Sequence, residues 1–247
     1  MSSRTANLRP IPILVYHQVD AAPPKGTPYR SLIVAPSAFA RQMFYLRMFG
    51  FQALSMTALQ PYLRGERQGK VVGLTFDDGY LNNLQHALPV LQRHGFSATC
   101  YVVSQRLGQH NDWDLDNGIA QKPLMTAAHL RAWVAGGQEV GAHTRHHSHL
   151  PLLDAPTARD EIVVCKQELE AALDAPVAHF CYPYGEYGPE HVALAQTAGF
   201  ETVTTTQRGR VHQEDWMQLP RVPVLRSTTW PQLWLKTSTA YEDRRRT

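Results

Sequence analysis

Cysteine is scarce in this chain. Cys100, Cys165 and Cys181 are the only three among 247 residues, their spacing fits no metal-binding motif, and their odd number argues against a disulfide framework. A reducing compartment fits. An excess of one charge is missing too: 24 Lys and Arg against 21 Asp and Glu leave a formal net charge of +3, too small to imply a nucleic-acid partner. The one basic run, Arg244, Arg245 and Arg246, lies at the C-terminus and reads as a solvated tail. No apolar run approaches a transmembrane span. The opening MSSRTANLRPIPILVYHQV has no apolar stretch of signal-peptide length, because Pro10 and Pro12 interrupt it. These absences predict a cytoplasmic protein, or a trimmed chain, with membrane contact limited to the inner face.

What is present suits one soluble domain over residues 1–247, with 43% hydrophobic and 18% charged residues. One local pattern recurs: an amphipathic helix, then Gly-Phe, then a strand. It covers residues 37–55, 82–104 and 189–206, and in the first copy Phe39, Met43, Leu46 and Phe49 share a helical face. Glycine suits the left-handed position that ends a helix, and Pro189 suits a first helical turn. A looser unit spans 126–144, and a long helix is expected over about 157–173, before the strand AHFCYP. Counting IPILVYH, FQALS, KVVGLTF, SATCYVVS, QEVGAHT, AHFCYP, ETVTTT and RVPVL gives seven or eight strands alternating with helices. That alternation predicts an α/β fold with a mainly parallel sheet, closed or nearly closed into a barrel. APPKGTP (22–28) and HNDWDLDNG (110–118) read as surface loops.

Two stretches carry chemistry. In VVGLTFDDGY, a buried strand ends on adjacent carboxylates, Asp77 and Asp78, followed by Gly79. Asp-Gly suits a turn. Alternatively a cation belongs there, since each carboxylate opposes ionisation of the other. In VGAHTRHHSHL, His143, His146, His147 and His149 fall within seven positions at a strand end. Imidazoles with a carboxylate suit zinc first, then cobalt, nickel or iron, and three protein ligands leave a position for water. In parallel α/β folds, sites form where strands end. His17, Asp77, Asp78, His143 and residues 182–185 all fall there, so one rim is expected to collect them.

TFDDG followed roughly sixty residues later by HTRHH resembles the polysaccharide deacetylase family (NodB homology domain, carbohydrate esterase family 4). The resemblance covers about residues 11–226, leaving 227–247 as an extension, and implies a distorted (β/α) barrel. ILVYHQV and FCYPYGEYG resemble the branch of the poly-N-acetylglucosamine deacetylases. The resemblance implies one divalent metal, most simply zinc, held by Asp78, His143 and His147. It implies Asp77 as general base, a backbone N–H at Tyr184 for the oxyanion, and His17, in its L-x-Y-H context, as general acid. His146 and His149 match no ligand position.

Two departures stand out. Cys181 occupies the place of the arginine that opens the family's R-P-P-Y motif, and Arg221, in LPRVPV, is either its substitute from another strand or an exposed strand residue. The family's downstream Leu-x-His is also missing, which is why His17 inherits the acid's role. Trp113, Tyr187 and Trp216 are expected near the rim as sugar-stacking aromatics. Trp230 and Trp234, with Leu233 and Leu235, either close the barrel bottom or rest on a membrane. The implied function is metal-dependent removal of an N-acetyl group from an aminosugar in a glycan or lipid-linked precursor. O-deacetylation of a polysaccharide is a second enzymatic reading. A sugar-binding module that has lost catalysis is a third, though a mere binder has no need of both carboxylates.

Overall fold

The computed structural model describes residues 9–212 and 215–246. Its strands are β1 (Ile13–Tyr16), β2 (Gln18–Val19), β3 (Ile33–Val34), β4 (Gln52–Leu54), β5 (Val71–Phe76), β6 (Thr99–Val102), β7 (Glu139–Ala142), β8 (His179–Cys181), β9 (Thr202–Arg208) and β10 (Leu219–Pro223). Seven of them, in the order β1-β10-β9-β8-β7-β6-β5, close on themselves, because β1 pairs in parallel with both β10 and β5. β4 adds to the outer edge of β5. All eight segments expected as strands are strands, and the sheet is a closed parallel barrel with one extra strand. The short parallel pair β2–β3 was not expected. Two residues per strand are too few for any periodicity.

The helices are α1 (Pro36–Met48), α2 (Met56–Leu63), α3 (Leu88–His94), α4 (Ala127–Ala135), α5 (Ala155–Arg159), α6 (Cys165–Leu173), α7 (Pro189–Thr197) and α8 (Trp230–Ser238). Gly50, Gly95 and Gly199 adopt φ of 78°, 63° and 76° and end α1, α3 and α7, as the Gly-Phe repeat predicted. A π-turn over Asp160–Val164 joins α5 to α6, giving the expected long helix.

Barrel strands bury both faces; all six residues of β5 are buried. Outward-facing Leu14, Val72, Phe76, Val102 and Phe180 meet Phe39, Met43, Leu91, Trp133 and Leu169 from the helices. Inward-facing Ile13, Val71, Tyr101 and Leu219 form a separate apolar cluster with Met56 and Leu59 of α2. Helix α2 therefore stoppers the amino-terminal end of the barrel. Gly73 makes room for it: a Cβ there would lie 2.9 Å from a Leu59 methyl. The alternative of Trp230 and Trp234 closing the barrel is thereby corrected. Leu233 is buried, but Trp230 and Trp234 are 53% and 44% exposed, and Trp230 packs against Tyr45 of α1. Among the described residues no helix is long and apolar enough to cross a membrane.

With the lower barrel filled, its upper half is left to polar groups. The packing is tight where the two halves meet: a Cβ on Gly141 would lie 2.5 Å from the Tyr101 ring. Gly141→Ala should destabilise by about 1–3 kcal/mol. Its denaturant midpoint should fall with the slope unchanged.

Candidate active site

The site begins where β5 ends. Asp77 still donates its N–H to Tyr16 (3.0 Å), continuing the sheet, but Asp78 turns left-handed at φ 76° and Gly79 follows at 79°. A Cβ on Gly79 would press on Val102 at 3.3 Å. The reversal sends consecutive carboxylates to different partners. Asp77, 3% exposed, receives both guanidinium nitrogens of Arg221, at 2.7 and 2.8 Å. Arg221, 1% exposed, also donates to the Thr205 carbonyl (2.8 Å), the Thr75 hydroxyl (3.2 Å) and Cys181 Sγ (3.1 Å). Burial alone would raise the Asp77 carboxyl; the charge and hydrogen bonds of Arg221 outweigh it and hold Asp77 below the ordinary carboxylate range. His17 Nε2, at the end of β1, stands 3.9 Å from Asp77 Oδ2.

Asp78 faces the two histidines instead. Its Oδ1 lies 3.5 Å from His143 Nε2 and 3.3 Å from His147 Nε2, and one ligand atom from each of the three side chains fits within a mutual 4.8 Å. Burial again pushes the carboxyl up, and hydrogen bonding to both imidazoles carries it well below its usual value. His143 Nδ1 lies 2.7 Å from the Cys181 carbonyl, which can only accept, so Nδ1 carries a proton and leaves Nε2 to face Asp78. Without a proton or a cation between them, Nε2 and the carboxylate oxygen would repel each other. His147 Nδ1 is buried with no hydrogen-bond partner, and its ring is set instead by stacking on Trp113 (4.5 Å) and an edge contact with Tyr184 (4.6 Å). Two imidazoles and one carboxylate converging in this way fit a divalent cation. His146 and His149 turn elsewhere, to Glu161 and Glu186.

One cavity is lined by His17, Asp77, Asp78, His143, His147 and Tyr184. Tyr184 is itself left-handed, φ 57°, and its ring stacks flat on His149 at 3.9 Å. Arg221 lies beneath the cavity floor rather than on it. Trp113 is on the wall. Tyr187 and Trp216 do not line it, and for Trp216 the expected place at the rim is corrected. Tyr187 stacks on Tyr182 and donates to Gln218 (3.1 Å), while the carbonyl of Trp216 joins the start of β9 through Val203 (2.7 Å). The approach to β10 draws Trp216 toward the amino-terminal end of the sheet. The two surface loops and their flanks supply further walls: Pro23, Pro28 and Tyr29 from the first, Trp113 and Ile119 from the second, with Lys122 tied to Asp20 at 2.8 Å.

The model of the polysaccharide deacetylase family matches residues 64–203, more than half of the chain. The chain belongs to the polysaccharide deacetylase family. YxkH of Bacillus subtilis (strain 168) is 26% identical over 209 residues, 84% of this chain and 68% of that protein. The Streptococcus pyogenes deacetylase PplD, solved in complex with acetate, shares the fold with a TM-score of 0.81 at 24% identity, over 93% of this chain and 99% of that one. IcaB from Ammonifex degensii aligns with a TM-score of 0.76 at 25% identity, over 91% and 95% of the two chains. Membership makes deacetylation the reaction class and a carbohydrate the substrate class.

Beside Cys181 a guanidinium arrives from β10, with Arg221 Nη2 3.1 Å from the Cys181 sulfur. Arg221→Met should strand Asp77 in the barrel, and breaking a buried pair costs about 3–5 kcal/mol. The folded pKa of Asp77 is depressed, so the stability it contributes is present above the unfolded carboxyl pKa of about 3.9 and is lost below it. The deficit of the variant should be full at about pH 7 and shrink toward about pH 4 as the stranded carboxyl protonates. Denaturant melts of both proteins across that range measure it. A deficit constant with pH would make Arg221 a packing residue.

Proposed function

We propose that this chain is a divalent-metal-dependent hydrolase that removes the acetyl group from the nitrogen of an aminosugar, in a glycan or a lipid-linked glycan precursor. The observation that carries the reading is the division of the Asp77–Asp78 pair. One carboxylate converges with two imidazoles, and the next is held ionised by an arginine without belonging to that cluster. A binding module has no use for the second.

Asp78, His143 and His147 would hold the ion, zinc being the simplest choice for this donor set. When bound, it would polarise the acetyl carbonyl and make water a better nucleophile. Asp77 then takes the proton from the attacking water. Its Arg221 partner keeps it ionised before attack, and burial strengthens that charge's effect on anything entering the cavity. His17 stands 3.9 Å from Asp77 with a side chain 27% exposed, within reach of protons from solvent between turnovers. Its role is to protonate the departing nitrogen. An amide needs such an acid far more than an ester does, because an amine anion does not leave, and this favours the N-acyl substrate over the O-acyl one. The backbone N–H of Tyr184, at a left-handed turn beside His147, is the donor assigned to the carbonyl oxygen. Trp113 offers an aromatic face to the sugar ring.

The two carboxylates should separate in the laboratory. Asp78→Ala should lose bound zinc and activity together, whereas Asp77→Asn keeps the zinc and loses turnover. Elemental analysis of the purified variants decides it, and equal zinc loss in both would end the proposed division.

His17→Ala should keep the zinc and slow an N-acetylated aminosugar by about 10²–10⁴-fold. An aryl acetate, whose phenolate leaves unaided, should slow far less. Equal losses on the two substrates would make His17 a packing residue.

A further inference from the structure

We infer that Glu161 is the positioning residue that holds the two imidazoles of the site in register, acting on the backbone of the loop that joins them. The inference rests on the metal reading above. The loop from His143 to His147 contains two left-handed residues that are not glycine, Thr144 at φ 64° and His147 at φ 61°. Such a backbone keeps its shape only when its surroundings over-determine it. Within the loop the Thr144 hydroxyl donates to the His143 carbonyl (2.6 Å) and accepts the His147 N–H (3.0 Å). The N–H groups of Arg145 and His146 have no partner inside the loop.

Glu161 takes both. Its Oε2 accepts the N–H of Arg145 at 2.8 Å and of His146 at 2.9 Å, while Oε1 lies 2.5 Å from His146 Nδ1. The residue is 4% exposed. Three donors on one buried carboxylate leave the loop a single position relative to the helix. That helix adds two further ties on the same face, four and seven residues on. Cys165 Sγ donates to the Thr144 carbonyl at 3.0 Å, and Glu168 accepts from the Arg145 guanidinium at 2.9 Å and from the Ser104 hydroxyl at 2.5 Å. Glu161 lies in the π-turn of Asp160–Val164, the one irregular turn of the long helix, at the level of the loop. Wide turns of this kind recur at functional sites. His146, which faces away from Asp78, thus serves as a handle by which Glu161 grips the loop between the two ligands.

The test uses Glu161→Ala, Glu161→Asp and, as a control on the same helix, Asp154→Ala, which removes the cap that accepts the Thr157 N–H at 2.9 Å. Glu161→Asp keeps the charge but withdraws the oxygens, and it serves if the alanine variant does not fold. In metal-free protein, hydrogen exchange at the amides of Arg145 and His146 should speed up in both Glu161 variants and not in Asp154→Ala. Zinc affinity, measured by competition with a chromophoric chelator, should weaken about 10–100-fold in the Glu161 variants, the range for groups that orient metal ligands. Asp154→Ala should bind zinc as the unaltered protein does. Unchanged zinc affinity with faster exchange would overturn the inference, as would a zinc loss that merely follows the melting temperature across all three variants. If the unaltered protein itself binds no zinc, the metal reading fails. The exchange rates then still decide whether Glu161 holds the loop.

Discussion

The contact on which the rest depends is the two-pronged ion pair between Arg221 and Asp77 at the centre of the barrel. A buried pair of this kind is weak ground for stability, because removing both charges from water costs nearly what their attraction returns. Its value lies in what it organises. Arg221 is fixed by the Thr205 carbonyl, the Thr75 hydroxyl and the Tyr101 ring, whose centre is 5.9 Å away. Below it the barrel is apolar and stoppered by α2; above it the barrel opens into the cavity. Water and ligands can reach the Asp77 charge only from the carboxyl ends of the strands.

Two adjacent carboxylates would be untenable there if both faced the same way. At an effective dielectric of 20, unit charges 4 Å apart repel by about 4 kcal/mol. The left-handed turn at Asp78 and Gly79 resolves this by sending Asp77 inward to arginine and Asp78 across to two imidazoles. Both carboxyls are lowered, each by a different neighbour. Backbone geometry, rather than sequence separation, gives the two identical side chains different chemistry.

Much of this was legible in the sequence, and what was not has physical reasons. Gly50, Gly95 and Gly199 announced helix ends because their chemistry is local. The eight strands of the main sheet announced themselves by short β-prone segments alternating with helical ones. Closure of the ring was legible only as a count, since the pairing of β1 with β5 joins segments that share no local signal. Helix α2 went unseen because Pro61 interrupts eight residues of weak period, although its capping Ser55 was there to read. The DDG and HTRHH residues could be collected on one rim by the strand-end rule. Arg221 could not be chosen between partner and surface residue, because its role depends on a side chain crossing the barrel to a strand end 144 positions away. Glu161 gave no signal beyond sharing a helical face with Cys165 and Glu168. The aromatic expectations failed in part for the same reason: Trp113 and Trp216 are both aromatics in polar loops, and only the paths of those loops separate them.

The distribution of backbone strain ties the site to the fold. Among the described residues six that are not glycine have positive φ: Tyr29, Asp78, Thr144, His147, Asp174 and Tyr184. Asp174 caps the end of α6, where a left-handed residue is ordinary. Of the other five, Tyr29, Asp78, His147 and Tyr184 line the cavity, and Thr144 lies buried between His143 and His147. At about 1–3 kcal/mol each, five such residues store an energy comparable with the whole stability of a domain, about 5–15 kcal/mol. A loop on its own would relax. The strain persists because a packed barrel and its surrounding helices cannot shift to relieve it, and because carboxylates such as Glu161 saturate the strained loop's donors. The rigid core is therefore part of the site's construction. It holds five unfavourable backbone angles so that His17, Asp77, Asp78, His143 and His147 meet in a single cavity.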